Sequence, residues 1–235
     1  YFIAVNQTRA ALNANDNAGI KAGIEAMEAS GGAEPGDLAL RYTDLGKRQQ
    51  NAGQMDAAAA SYQKAIGFDA NNAATLALLA SLRDKQGQKA EAVSLMQRSF
   101  AASKAKGEKV AGNNFKFAAG IAHRLRSPAA LDITREWIAA YPTSSSWREG
   151  LRLYRDLNGA KGAQLADALR LARAANAVEG QSDYYAYANA LVADGALTEA
   201  KSVLADAAKA GINVNDSSFK TLSTQAAKAP ARAAI

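Results

Sequence analysis

The sequence predicts an all-α fold, an α-α superhelix of about six helical hairpins closed by a C-terminal capping helix. Three observations lead there. Residues 39–72 and 73–106 are consecutive copies of one pattern: Tyr42, Leu45, Gly46, Gly53, Ala58, Tyr62 and Ala65 are answered 34 residues on by Leu76, Leu79, Ala80, Gly87, Ala92, Met96 and Ser99. A period of that length holds two antiparallel helices, and such a unit has no complete core until a neighbour stacks on it. The composition is alanine-rich, with 18 glycines and only 7% aromatic residues, so small side chains are available where helices cross closely. Strand-like alternation is absent, and a β-sandwich would want more β-branched and aromatic residues.

In chain order, residues 1–34 read as a degenerate pair, Tyr1 to Ala14 and Asn17 to Ala29, joined at Asn15-Asp16 and followed by a break at Gly31, Gly32 and Gly36. Over 39–72, Leu38, Tyr42 and Leu45 recur at helical spacing as a buried stripe. Gly53 takes the turn, because glycine accepts a left-handed cap. Met55, Ala58, Tyr62, Ala65 and Ile66 then share one face. Over 73–106 the same plan uses Leu76, Leu79, Leu82, the turn at Gly87, then Val93, Met96 and Phe100. The third copy, 111–144, is displaced by four residues, a slip absorbed by the polar segment 103–108. Its first helix is expected over 114–125. Ser127 caps the second, Pro128 sits in the first turn, where a missing N–H does no harm, and Pro142 ends it. Residues 145–178 place Leu151, Tyr154 and Leu157 before Leu165, Leu169 and Ala172. Residues 181–214 place Tyr184, Tyr187, Ala188 and Leu191 before a turn at Gly195, then Ala200, Leu204 and Ala207. A capping helix is expected over 217–228, with a fraying Ala/Pro tail. The whole of 1–235 is thus read as a single solenoid.

Several kinds of chemistry are excluded or disfavoured. There is no cysteine, which removes disulfides, thiolate zinc sites and thiol nucleophiles together. His123, the only histidine, lacks a Gly-x-Ser-x-Gly elbow or similar context and reads as a surface residue. The run Asn13 to Asn17 has one carboxylate, Asp16, and no closing glutamate, so it is a turn with an N-cap and no calcium loop. Gly159-Ala-Lys161-Gly162 has neither the spacing nor the hydroxyl of a P-loop. No metal, cofactor or catalytic residue is expected; the alternative is an enzyme subunit with a site in the groove that depends on His123. The net charge of +6 permits acidic partners without requiring them. Lys104, Lys106, Lys109, Lys116, Arg124 and Arg126 form the strongest basic segment, which reads first as a solvated face and second as a patch for an anionic polymer or membrane surface. Nucleic acid is disfavoured. Trp137 and Trp147 read as packing residues. No uncharged apolar run approaches the ~18 residues of a membrane span. The chain opens at Tyr1 without a methionine, as it would after removal of a signal peptide or after any other trimming of an upstream segment.

Tyr42-x2-Leu45-Gly46-x2-Gln49, followed by Ala58-x3-Tyr62 with Ala70 in a proline slot, resembles the tetratricopeptide-repeat family. The stretch 141–156 is similar to a segment of exported repeat proteins of alphaproteobacteria, so a periplasmic location is expected. The resemblance implies a non-enzymatic scaffold, an expected monomer, binding a protein or extended peptide along the concave side lined by each unit's first helix. Carried over by position, the contact residues would be Thr43, Asp44, Lys47 and Gln50, then Leu78, Ser81 and Lys85, then Phe115 and Lys116, and finally Tyr185 and Asn189. In the chaperone-binding branch of the family a set of Lys, Asn and Arg grips a terminal carboxylate. The equivalent slots here hold Thr43, Lys47, Leu78, Gly112 and Lys116, so that set is broken.

Overall fold

A computed structural model of the chain describes residues 1–228. The expected tail beyond the capping helix lies outside the described residues. Among those described, every regular element is an α-helix: α1 (Phe2–Asn13), α2 (Asn17–Ala29), α3 (Pro35–Asn51), α4 (Met55–Phe68), α5 (Ala73–Lys85), α6 (Lys89–Ala105), α7 (Gly112–Arg124), α8 (Ala129–Ala140), α9 (Ser144–Asn158), α10 (Gly162–Ala174), α11 (Gly180–Ala193), α12 (Leu197–Lys209) and α13 (Ser217–Ala226). None of these helices is long and apolar enough to cross a membrane. The chain divides into two compact units, Tyr1–Ile133 and Thr134–Ile235, with the boundary inside α8.

In the first unit the helices pair in sequence, α1 with α2, α3 with α4 and α5 with α6, and each pair packs on the next through α2·α3, α4·α5 and α6·α7. The 34-residue period has a physical origin in the turns. Gly53 and Gly87 both sit at positive φ, +76° and +80°. At each turn a tight pair of backbone bonds closes the helix end: Gly53 N–H to Gln50 O and Gln54 N–H to Gln49 O, then Gly87 N–H to Asp84 O and Gln88 N–H to Arg83 O. That is a left-handed cap, in which orphan carbonyls of the last turn find donors. Asn15 and Arg126 hold the equivalent place between α1 and α2 and between α7 and α8, without glycine.

Packing explains the repeated spacing inside one unit. Gly46 on α3 faces the Tyr62 ring so closely that a Cβ there would lie 2.5 Å from Cε1. The aromatic residue of the second helix therefore demands a glycine on the first. Around that contact Leu38, Tyr42, Leu45, Ala58, Tyr62 and Ala65 are all buried, as are Leu76, Leu79, Leu82, Val93, Met96 and Phe100 in the next pair. Polar atoms inside are matched too. Ser61 donates to Gln49 Oε1 at 2.7 Å and Tyr62 to Gln50 Oε1 at 3.0 Å. Adjacent pairs are tied by the Tyr42 hydroxyl donating to Glu28 at 2.6 Å, by Thr43 and Thr75 hydroxyls 2.8 Å apart, and by Phe100 and Phe115 rings 4.7 Å apart.

The second unit uses more charge between its helices. Its core gathers Ala166, Leu169, Tyr187, Leu191, Val203, Leu204, Phe219 and Leu222 from α10 to α13. Above it, Arg170 holds Glu199 and Asp167, and Glu199 also accepts from the Tyr187 hydroxyl at 2.8 Å. Arg173 reaches Asp206 at 2.5 Å, and Arg148 pairs with Glu179. The α9 register differs from expectation. Its buried residues are Ser146, Gly150 and Leu153, while Leu151 is half-buried and Tyr154 exposed. Small residues carry that contact because α8 comes close: a Cβ on Gly150 would lie 2.7 Å from Thr134 Cγ2.

Candidate functional site

Helices α3 and α5 each leave one stripe uncovered. On α3, Leu38, Tyr42, Leu45, Gly46 and Gln49 are inside, and Leu40, Asp44, Lys47 and Asn51 are outside, one residue per turn. Leu40 is 59% exposed, a large apolar side chain in the middle of that stripe. On α5, the positions 34 residues further on are Ala74, Leu78, Ser81 and Lys85, and all of these keep some solvent exposure. The Thr43–Thr75 contact lays the two helices side by side, so the stripes adjoin. Lys116 and Phe117 extend the pattern on α7, where Arg124 approaches Asp84 of α5 at 3.7 Å.

Asp44, Lys47, Lys85, Lys116, Tyr185 and Asn189 are exposed, and Gln50, Leu78 and Ser81 half-buried. Asp44 and Lys47 pair at 3.1 Å. Gln50 is engaged inward with Tyr62. Two expected contact residues are corrected. Thr43, only 6% exposed, donates to Ala39 O and bonds Thr75, so it joins helices. Phe115, 1% exposed, packs on Phe100. Both lie one helical step, about 100°, from the open stripe, enough to turn a side chain from solvent into the stack. In the second unit, Tyr185 is 38% exposed and rests edge-on against Phe219, beside a shallow pocket with Gln181, Ser182 and Ser218.

Sequence reasoning missed a cleft of 560 Å³ where α3 meets α1 and α2. Leu12, Ile20, Ile24 and Leu45 line its apolar part, and Arg41, Asp44, Lys47 and Arg48 its polar part. The signal was present, since Arg41 and Arg48 lie one turn before Asp44 and after it on the same stripe. The clear 34-residue repeat begins only at residue 39, however, and α1 carries no motif to show that it forms the other wall.

Ionisable groups elsewhere hold the framework. The Tyr42 hydroxyl, and then Lys64, lower the Glu28 carboxyl below its ordinary range. Arg170 chiefly does the same for Glu199. Burial pushes the Tyr62 phenol up to about 12, and burial with the Glu199 hydrogen bond does so for Tyr187. Each is spoken for by a structural partner. Among the described residues no three Asp, Glu or His side chains converge as a metal site would need.

No protein-family model matches the chain, and no curated protein is similar to it. Solved structures do match. MamA is 17% identical, with a TM-score of 0.50 over 73% of this chain and 91% of that one. YrrB, described as a TPR protein with an unusual peptide-binding site, is 14% identical, with a TM-score of 0.51 over 79% and 92%. The C-terminal part of a TPR repeat-containing protein from Cytophaga hutchinsonii is 12% identical, with a TM-score of 0.52 over 94% and 87%. The chain has the tetratricopeptide-repeat fold, an all-α solenoid fold.

Proposed function

We propose that the protein is a non-enzymatic scaffold that binds a protein or extended peptide along the open face of its first helices. The observation carrying this reading is the stripe Leu40, Asp44 and Lys47 on α3, continued by Leu78, Ser81 and Lys85 on α5. It mixes apolar, polar and charged groups on helices whose other faces are packed, which suits a ligand held by a few anchors. YrrB, similar in fold, is itself described as having a peptide-binding site. The resemblance of segment 141–156 to exported repeat proteins supports a periplasmic location.

Peptide-display selection against the immobilised chain tests the reading. Selected peptides should bind the wild type and lose about tenfold in affinity to the double variant Lys47→Glu/Lys116→Glu, since each reversal replaces an attraction with a repulsion. Unchanged binding of every selected peptide would move the ligand surface elsewhere.

A further inference from the structure

We propose that the cleft between α1, α2 and α3 is the specificity pocket of this face, and that it takes an apolar side chain flanked by carboxylates from an extended acidic segment of a partner protein. The inference rests on the peptide-binding reading and adds a place and a chemistry to it. The volume of 560 Å³ falls within the ~300–1,000 Å³ of ordinary ligand pockets. Ile20, Ile24 and Leu45 are buried beneath the cleft, and Leu12 on its wall, 37% exposed, is the aliphatic side chain that stays uncovered. An aliphatic side chain would cover it.

The rim has three cations and one carboxylate. Lys47 is paired with Asp44. Arg48 donates only to the neutral amide oxygen of Asn15, at 3.3 Å. Arg41 is half-buried and has no ion-pair or hydrogen-bond partner among the described residues. A guanidinium carries five N–H donors in a planar fork that fits a carboxylate through two parallel bonds. Elsewhere in the chain the half-buried guanidiniums are matched: Arg83 holds Glu91 and Gln86, Arg170 holds Glu199 and Asp167, and Arg173 holds Asp206. The cleft therefore leaves two unneutralised forks beside the uncovered Leu12 side chain, and the complementary ligand alternates acid and aliphatic groups.

The test titrates ¹⁵N-labelled full chain with the peptide acetyl-Gly-Glu-Leu-Glu-Gly-amide, which has no free terminus to supply the charge. Amides of Leu12, Ile24, Arg41 and Leu45 should shift saturably. Binding should weaken about tenfold on replacing both Glu by Gln, on replacing Leu by Ser, or in the protein variant Arg41→Ser/Arg48→Ser, and should weaken with added salt. Lys201→Ser, on α12, should bind as the wild type does, and the spectrum of each variant reports whether it is folded. Absence of saturable shifts at the cleft up to about 10 mM peptide, indifference to the Glu→Gln change, or equal shifts from inorganic phosphate or anionic vesicles would overturn the proposal. Display-selected peptides that footprint on α5 and α7 but spare α1 would overturn it while leaving the scaffold reading intact. Failure to select any peptide would remove both.

Discussion

Arg126 stands at φ +51°, in a turn where Gly53 and Gly87 fill the equivalent place. Its amide donates to His123 O and the next amide to Ala122 O, so the turn geometry is the same. A side chain with a Cβ costs about 1 kcal/mol in this backbone region, and glycine removes that cost. Arg126→Gly should therefore stabilise the chain by roughly 0.5–1 kcal/mol, read as a higher urea midpoint. Gly87→Ala should lower it by a similar amount. The sequence displayed the turns at Gly53, Gly87 and Gly195 plainly, because glycine is the ordinary residue at a left-handed cap. It also marked the join at Asn15-Asp16, but not that Asn15, Arg126 and Asn176 take the same left-handed geometry without glycine.

Between elements, the hydroxyls of Thr43 and Thr75 test whether one hairpin stacks on the next. Thr43 donates to Ala39 O at 2.8 Å, so Thr75 supplies the proton shared between the two side chains. Both are buried. Thr43→Val alone strands the Thr75 hydroxyl and should cost about 1–3 kcal/mol, whereas Thr43→Val/Thr75→Val removes both partners and should cost less than the single change. Additive losses in denaturant unfolding would mean that the two helices do not meet there. This contact also shows where sequence reasoning ran out. Hydrophobic periodicity located the buried stripes of α3 to α6 because Leu, Tyr, Met and Phe carry them. It could not see that a threonine joins two helices, nor that Phe115 turns inward. On α9 it followed Leu151 and Tyr154, whereas the buried contact is made by Ser146 and Gly150, which weigh little in any apolar pattern.

For the whole molecule, the shifted groups set the pH range of stability. Glu28 and Glu199 have pKa values lowered from 4.5, so the folded state binds their protons more weakly than the unfolded chain. Their contribution is complete above about pH 5 and is lost as pH falls through the lowered values. Tyr62 and Tyr187, raised from 10.0 to about 12, behave oppositely: the folded state keeps protons that the unfolded chain releases, and stability declines from pH 10 towards 12. Urea midpoints should form a plateau between these limbs, and Glu199→Gln should make the acid limb shallower. A midpoint independent of pH from 3 to 12 would contradict the pairing of Glu28, Glu199 and Tyr187 and the burial of Tyr62.

The central claim is that stacked hairpins hold an open stripe of the first helices ready for a peptide. Backbone amide shifts of the ¹⁵N-labelled chain on adding a display-selected peptide test it most directly. The footprint should include Leu40, Asp44 and Lys47 on α3 and Leu78 and Ser81 on α5. A footprint confined to the second helices α4 and α6 would contradict it.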